Sequence, residues 1–294
     1  MDVPGFIGGS YTSQSPLADC EKSINCYPES AESRSSTAPR ALYVTPGISV
    51  INNTLPLGQS FAHFAFEGRE FAVIGPTFYE IDKYGTATSR GTVALGTQPA
   101  TICSNGKTGG QIMVTAGGNA YFYNLTTNDF QRKPVLDGLV TMGDELDGYF
   151  LILDAKTSTL YWSDLNNGLS WQVTLNFAKR NIAADGWQAM KVCNRMIWLF
   201  GSLTSEVWYD SGQYPQPFVP YPSSVIPYGI KAPFSAVCAN GSIFWLGASK
   251  DGNSVVLQST GFAPTVISTY ALSVAIQGYS RLDDAVGDSY TSLE

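Results

Sequence analysis

The amino-acid sequence predicts an all-β protein of the β-propeller class, and three observations support this. Pairs of short apolar runs, rich in β-forming residues and each too short for a helix, are joined by polar turns and recur five times. The turns that open these pairs lie 38, 42, 46 and 47 residues apart, counted between Gly68, Gly106, Gly148, Asn194 and Gly241. A four-stranded blade takes about 40–50 residues, so each interval fits one blade. Charged residues are only 14% of the chain and aromatic residues 13%, which favours many packed strands over disorder.

Residues 1–47 are predicted to form an extended N-terminal arm. We expect no hairpin there, because residues 8–11 are Gly- and Ser-containing, residues 30–37 are rich in Ser, and Thr45-Pro46-Gly47 is a turn sequence. Such an arm has two places to lie: along the rim of the propeller or against a neighbouring subunit.

Residues 48–294 are predicted to form the propeller, with five visible four-stranded blades and the start of a sixth. The blades are placed near residues 61–99, 100–140, 141–185, 186–233 and 234–268. Their central hairpins pair residues 71–74 with 77–81, 111–115 with 119–124, 149–153 with 160–162, 196–200 with 206–209, and 242–246 with 254–258.

A short helix and a partial blade are predicted after the fifth blade. The helix lies near residues 269–279, is N-capped by Ser268 or Thr269, and places Leu272, Ala275, Ile276 and Tyr279 on one face. The sixth blade starts near residue 285 and is incomplete in this sequence. Either residues 48–60 supply its missing strands or the natural protein continues past Glu294, and we expect the second.

Two segments of the blades have distinctive sequences. The loop at residues 164–171 resembles a degraded Asp-box, with Asn166 in place of the Asp, and predicts that Trp171 is buried under blade three. Blade four ends in a connector, residues 214–233, whose six prolines exclude a helix and interrupt a strand ladder. We interpret this connector as a spacer or a contact surface; a PxxP ligand at residues 217–220 is disfavoured inside a folded domain.

The cysteines and the single histidine do not indicate a metal or a nucleophile site. Cys103, Cys193 and Cys238 fall at matching positions in three blades, where we expect them to be buried and held apart. Cys20 and Cys26 have no histidine nearby, which is weak for zinc. The only histidine, His63, has no partnered Cys or Ser motif.

Two acidic pairs are candidates for catalytic groups. A glycosidase needs two carboxylates about 5–10 Å apart across a sugar. Adjacent residues of a strand point to opposite faces, and these pairs lie in or beside turns. We therefore interpret Asp144-Glu145 and Asp283-Asp284 as solvated loop acids or caps. The chain has no phosphate loop, H-E-x-x-H or G-x-S-x-G sequence. The sequence therefore predicts no catalytic, cofactor-binding or metal-binding residues, and no enzyme activity.

The overall charge and hydropathy exclude two further classes. The formal net charge of −7 argues against a groove that neutralises DNA phosphates. No apolar run approaches the length of a membrane span, and the start of the chain lacks a signal-peptide pattern. We expect the protein to be made and used without secretion or membrane insertion.

Phrases at both ends of the chain resemble one protein family. The opening combines Gly9-Ser10-Tyr11 with S-I-N-C-Y-P-E at residues 23–29 and the later T-P-G turn. Residues 229–235 and 243–247 then lead to residues 261–269, which follow the pattern G-x-x-P-x-R-I-S-T except at position 266, and residues 281–285 lead to Tyr290. These sequences resemble the packaged-DNA stabilisation proteins of short-tailed bacteriophages, which are tail hub or nozzle proteins. Val266 stands where the family has Arg, so a role of that Arg does not carry over.

The resemblance implies a function and a set of partners. A protein of this family is expected in the virion tail, assembled in the cytoplasm of the bacterial host as a homo-hexameric ring. It would dock below the portal and adaptor proteins, bind tail fibres, spikes or needles, and let double-stranded DNA pass without sequence-specific binding. Two other functions stay open on the fold alone: a glycan-binding propeller whose Trp and Tyr residues stack on sugars, and a propeller glycosidase.

Overall fold

The computed structural model describes residues 11–12, 20–21, 25–30, 40–45, 47, 58–180, 183–248, 252 and 254–289 of the 294-residue chain. Within those residues the regular secondary structure is almost entirely antiparallel β-sheet, with two short α-helices and one 3₁₀-helix. The predicted all-β fold is confirmed.

Two small sheets lie in the N-terminal part. They pair β1 (Tyr11–Thr12) with β2 (Cys20–Glu21), and β3 (Cys26–Ser30) with β4 (Arg40–Val44). In the second sheet Cys26 lies opposite Val44, and the Thr45 N–H donates to the Asn25 carbonyl at 2.9 Å. The expectation that the arm contains no hairpin was therefore wrong. The short apolar run in β4 is enough to pair with β3, and Pro28 is tolerated because a two-stranded sheet has only edge strands.

Five larger sheets follow in the described part of the chain, each made of consecutive strands. The first contains β5 (Ser60–Phe66), β6 (Arg69–Ile74), β7 (Thr77–Ile81) and β8 (Ala87–Thr92). The second contains β9 (Thr101–Ser104), β10 (Gln111–Ala116), β11 (Asn119–Asn124) and β12 (Phe130–Arg132), with α1 (Gly106–Gly109) after β9 and a 3₁₀-helix (Pro134–Leu136) after β12. The third contains β13 (Met142–Leu146), β14 (Tyr149–Asp154), β15 (Thr159–Asp164), β16 (Asn167–Trp171) and β17 (Phe177–Lys179). In this sheet both β16 and β17 pair with β15.

The last two sheets have four strands each. The fourth contains β18 (Trp187–Cys193), β19 (Met196–Gly201), β20 (Ser205–Asp210) and β21 (Phe218–Pro220). The fifth contains β22 (Val237–Ala239), β23 (Ser242–Ala248), β24 (Ser254–Ser259) and β25 (Thr265–Val266), and helix α2 (Tyr270–Gln277) follows it. The second and third strands of each sheet are the five predicted hairpins, which are all confirmed.

Tight turns set the register between the first two strands of four sheets. Both central residues of each turn have a positive φ, as in Asp147-Gly148 at 52° and 91° and Asn240-Gly241 at 48° and 70°. This is the type I′ geometry, which matches the right-handed twist of the flanking strands. Asn, Asp and Gly tolerate that geometry best, which is why these turns are visible in the sequence.

The sheets are arranged as blades around a centre. The first strands of successive sheets contact one another: β5 with β9, β9 with β13, β13 with β18, and β18 with β22. Apolar side chains fill the spaces between neighbouring sheets in three buried clusters, one between blades one and two, one between blades two and three, and one across blades three to five. This is the packing of a β-propeller, in which each blade buries its faces against its neighbours.

The proline-rich connector after blade four is part of the propeller. Its residues Phe218–Pro220 form β21, and Phe218, Ile226 and Ile230 are buried. Ser205 and Ile226 exchange backbone hydrogen bonds of 2.9 and 2.8 Å. The interpretation as a spacer was wrong, because proline is compatible with an edge strand and these apolar side chains reach the core.

Helix α2 begins at the predicted N-cap, but most side chains of its predicted apolar face are exposed. Thr269 is the N-cap, and its hydroxyl accepts the Leu272 N–H at 3.3 Å. Leu272 and Tyr279 are 46% and 66% exposed, whereas Ser273 is buried and its hydroxyl lies 2.9 Å from that of Ser268. The predicted grouping of apolar residues therefore does not mark the buried side of the helix: Leu272, Ala275 and Tyr279 are exposed and Ile276 is partly buried, because packing against β24 sets which side is covered.

Residues 285–289 follow α2 without forming a strand in the structure. The Gly287 N–H donates to the Phe234 carbonyl at 2.9 Å, so this segment lies against the chain that enters β22. Beyond it, residues 290–294 are outside the described residues. The sixth blade stays a prediction.

Candidate functional site: the central cavity

The first strands of four of the large sheets in the described chain border a central cavity of about 420 Å³. Residues of β5, β9, β13 and β18 line it, together with the segment before β22 and residues 286–288. A β-propeller places its innermost strands around such an opening, and ligands or passing chains meet the protein there.

An ion pair crosses the cavity wall between blades three and four. The Lys191 Nζ on β18 lies 3.2 Å from the Asp144 Oδ2 on β13, and the same oxygen accepts the Val192 N–H at 2.8 Å. The negative charge of Asp144 raises the pKa of Lys191. The Asp144 carboxylate thus connects blade three with blade four through the Lys191 ammonium and the Val192 N–H.

Asp144 and Glu145 are not solvated loop acids, so that part of the interpretation was wrong, whereas Glu145 does cap the turn that follows it. Met142–Leu146 is a strand, and the Asp144 side chain is only 14% exposed. Its neighbour Glu145 points to the other face, where it accepts the Gly148 N–H at 2.6 Å and burial raises its pKa. Asp283 and Asp284, in contrast, are exposed and pair with Arg281 at 2.7 and 3.7 Å.

A second charged cluster lies where blade three passes into blade four. Arg180 donates to the Thr204 hydroxyl at 2.6 Å and lies 3.4 Å from Asp185 and 3.6 Å from Glu206. The Glu206 carboxylate accepts the Trp187 indole N–H at 2.5 Å, and its pKa is raised by burial. Arg180 and Glu206 are 2% and 1% exposed, so a substrate does not reach them and the cluster is a structural junction.

A third cluster joins blades one and two. Glu80 on β7 binds Arg69 and Arg90, each at 2.7 Å, and accepts a hydrogen bond from the Tyr123 hydroxyl of blade two. Arg69 continues across the blade boundary to the Leu125 carbonyl at 2.9 Å. The hydrogen bond from Arg69 is the main reason that the pKa of Glu80 falls to about 2.

The matching cysteines are not all held apart. Cys193 and Cys238 form a disulfide between blades four and five, with their Cα atoms 5.5 Å apart. The expectation that the architecture separates them was wrong, because the innermost strands of adjacent blades converge at the centre. Cys103 is buried as a free thiol, as predicted, and burial raises its pKa well above the usual range.

The loop that resembles an Asp-box is structural. Trp171 is 8% exposed, packs against Phe122 of blade two, and donates its indole N–H to the Gly168 carbonyl at 2.7 Å. The capping bonds come from neighbours of Asn166: Asn167 accepts the Leu169 N–H, and Asp164 accepts the Ser170 hydroxyl. The predicted burial of Trp171 is confirmed.

The remaining sequence candidates have these positions. His63 lies on β5 at the cavity, is 61% exposed, and has its Nε2 3.9 Å from the Glu70 carboxylate. Cys26 is a partly buried free thiol, and the side chain of Cys20 lies outside the described part of the chain. Among the described residues, no three His, Cys, Asp or Glu side chains group closely enough to hold a metal ion. No helix found in those residues is both long and apolar enough to cross a membrane.

Lys191 and Arg180 are not among the residues predicted from the sequence. Lys191 had a detectable signal, because it is the one charge in β18, an inner strand that is otherwise mostly apolar. Arg180 follows β17 in a segment without a motif, and only the three-dimensional packing identifies its partners.

Taken together, the central arrangement of the first strands and the apolar clusters between neighbouring sheets define a β-propeller. The family model described as bacteriophage P22 Gp10, β-propeller, matches residues 8–292. The chain belongs to this family of phage stabilisation proteins, so it is a phage structural protein and a component of the virion.

Solved structures of other proteins match the chain at low identity. The extracellular domain of a putative hybrid two-component system from B. thetaiotaomicron matches at 9% identity and a TM-score of 0.50, covering 81% of this chain and 31% of that one. A computationally designed protein, Ika8, matches at 10% identity and a TM-score of 0.48, covering 92% and 77%. PorZ of Porphyromonas gingivalis matches at 12% identity and a TM-score of 0.45, covering 76% and 30%. The chain thus spans about a third of the length of two of these proteins, and no curated protein matches its sequence.

Proposed function

We propose that the protein is the tail hub, or nozzle, of a short-tailed phage. In this role six copies form a ring below the portal and adaptor proteins, surround the DNA exit channel and help to retain the packaged DNA. The observation that carries the proposal is the family match over residues 8–292, together with the phage-family phrases at both ends of the chain.

The charge of the chain supports a conduit through which DNA slides. With 24 acidic and 17 basic residues, the formal net charge is −7. A channel surface with excess Lys and Arg would neutralise phosphates and hold the duplex, whereas an acidic surface repels it. Sequence-specific binding of the passing DNA is not part of the proposal.

The remaining partners follow from the same place in the virion. Tail fibres, spikes or needle proteins dock on the ring, which is assembled in the cytoplasm of the bacterial host without membrane insertion. No enzymatic step, cofactor or metal is part of the proposed role.

The glycan-binding alternative has less support. All six tryptophans lie in the described part of the chain, and each is at most 8% exposed. A sugar-stacking site needs an exposed aromatic face, so the tryptophans, which are buried in the propeller core, do not support this alternative. It would have to rest on exposed tyrosines such as Tyr84 and Tyr214, which are 71% and 95% exposed.

The proposal is tested by removing the protein from the phage. Particles assembled without it are expected to package DNA and then lose it, and adding the purified chain to the DNA-filled heads should restore retention. The matched control is the same chain after heat unfolding, which should restore nothing. Particles that keep their DNA equally well without the protein would contradict the proposal.

A further inference from the structure

A covalent bond joins two neighbouring blades at the centre of the propeller. Cys193 is the last residue of β18 and Cys238 lies in β22, the first strands of blades four and five. Their Cα atoms are 5.5 Å apart, within the range that disulfides adopt, although 45 residues separate them in the chain.

Contacts other than the disulfide also connect blades four and five at this junction. The Asn194 side chain donates to the Gly241 carbonyl at 2.6 Å, which connects the turns that follow the two cysteines. The Trp198 ring of blade four also packs against the Trp245 ring of blade five, with 6.2 Å between the ring centroids. The two thiols of the reduced protein are therefore already positioned to react with each other.

A small oxidant has a route to the pair. Cys238 is only partly buried, and a cavity of about 260 Å³ borders Cys193 between blades four and five. Cys193 itself is only 3% exposed, so Cys238 is the more accessible thiol of the pair. Cys103, at the matching position in blade two, is 6% exposed and is a free thiol among packed apolar neighbours. The pair is thus the reactive set among the three matching cysteines.

We propose that Cys193 and Cys238 are an oxidation-dependent staple, reduced while the protein is assembled and closed after the particle leaves the host cell. The timing rests on the proposed virion role, because the bacterial cytoplasm keeps thiols reduced whereas the medium outside permits disulfides. The staple adds covalent strength to the propeller at the stage when a virion must hold its DNA for long periods.

The chemistry requires a low-molecular-weight disulfide as the oxidant. One cysteine thiolate attacks that disulfide, a mixed disulfide forms, and one small thiol leaves. The second cysteine thiolate then attacks the protein sulfur of the mixed disulfide, and the second small thiol leaves. Two electrons pass from the cysteine pair to the oxidant, and the two protons released by the cysteines end on the two small thiols.

The first experiment follows the purified chain. The chain is oxidised with glutathione disulfide, denatured and treated with an alkylating reagent, which should then modify three of the five cysteines. Peptide mass spectrometry should identify the cross-link as Cys193–Cys238. Adding a reductant should lower the melting temperature by about 5–10 °C, because the bond closes a long loop in the unfolded chain. The variants Cys193→Ser and Cys238→Ser should lose this reductant-dependent shift, whereas the matched control Cys103→Ser should retain it.

The second experiment follows the timing. Infected cells quenched with an alkylating reagent should contain the reduced pair, and released particles should contain the cross-link. A purified chain that does not form the cross-link, or that melts at the same temperature with and without reductant, would overturn the staple itself. A pair already oxidised in quenched cells would overturn only the timing. A failure of the virion role would appear separately, as absence of the protein from purified particles.

Discussion

At the scale of single residues, the charged side chains of this protein connect blades rather than forming a reactive centre. Asp144 reaches Lys191 across blades three and four, and Arg69 connects Glu80 with blade two. Each pair is at least partly buried and carries additional hydrogen bonds, the condition under which an ion pair resists dissociation. The acid stability of the propeller should therefore depend on identifiable carboxylates.

Glu80 gives a pH prediction. Its pKa is about 2 in the folded protein and about 4.5 when unfolded, so the unfolded state binds the proton more tightly. The stability that Glu80 contributes is complete above pH 4.5 and is lost as the pH falls toward 2. After allowance for solvent screening, we expect the free energy of unfolding to fall by about 2 kcal/mol more in the wild type than in Glu80→Gln.

Denaturant titrations between pH 5 and pH 2 check this expectation. Glu70→Gln is the matched control, because Glu70 lies on the same sheet with a side chain that is 53% exposed, and it should keep the wild-type slope. Parallel pH profiles for the wild type and Glu80→Gln would show that the cluster does not stabilise the fold through charge.

Trp171 gives a packing prediction. The Trp171→Ala variant should lose about 3–5 kcal/mol of unfolding free energy, because it removes a large buried ring between blades two and three. Leu175→Ala changes a nearby side chain that is 61% exposed and should cost less than about 1 kcal/mol. Equal, small losses in both variants would mean that the loop does not pack under blade three.

At the scale of elements, the hairpins could be predicted from the sequence and the contacts between blades could not. A hairpin depends on neighbouring residues, such as the continuous apolar run of β14 and the Asp147-Gly148 turn, so its signal is local. The disulfide and the Asp144–Lys191 pair join residues more than 40 positions apart, on strands whose facing positions follow from the packing of whole blades. Packing between elements likewise decides which side of α2 is buried, and the sequence of the helix does not show this.

Blades two and three approach each other closely at Gly168. A Cβ atom at Gly168 would lie 2.5 Å from the Phe122 ring of blade two, so β16 fits there only without a side chain. We expect Gly168→Ala to cost about 1–3 kcal/mol through overpacking, measured by denaturant unfolding. Gly261→Ala is the control, since nothing lies within 4 Å of its added Cβ. Identical stability of both variants would contradict the observed spacing of blades two and three.

At the scale of the whole molecule, net charge and fold support a conduit rather than a DNA-binding protein. With a net charge of −7, the isolated chain should bind duplex DNA at physiological salt no more tightly than the weak non-specific limit of about 10⁻⁴ M. Fluorescence anisotropy with a labelled duplex at several salt concentrations measures this. A micromolar affinity that falls steeply with added salt would contradict the acidic conduit.

The proposed place in the virion is tested most directly by cryo-electron microscopy of the purified chain mixed with the phage portal–adaptor complex. The account predicts a ring of six propellers on the axis below the adaptor, with an open channel through the centre of the ring. Particles in which the portal–adaptor complex carries no added density, or carries propellers attached away from the axis, would contradict it.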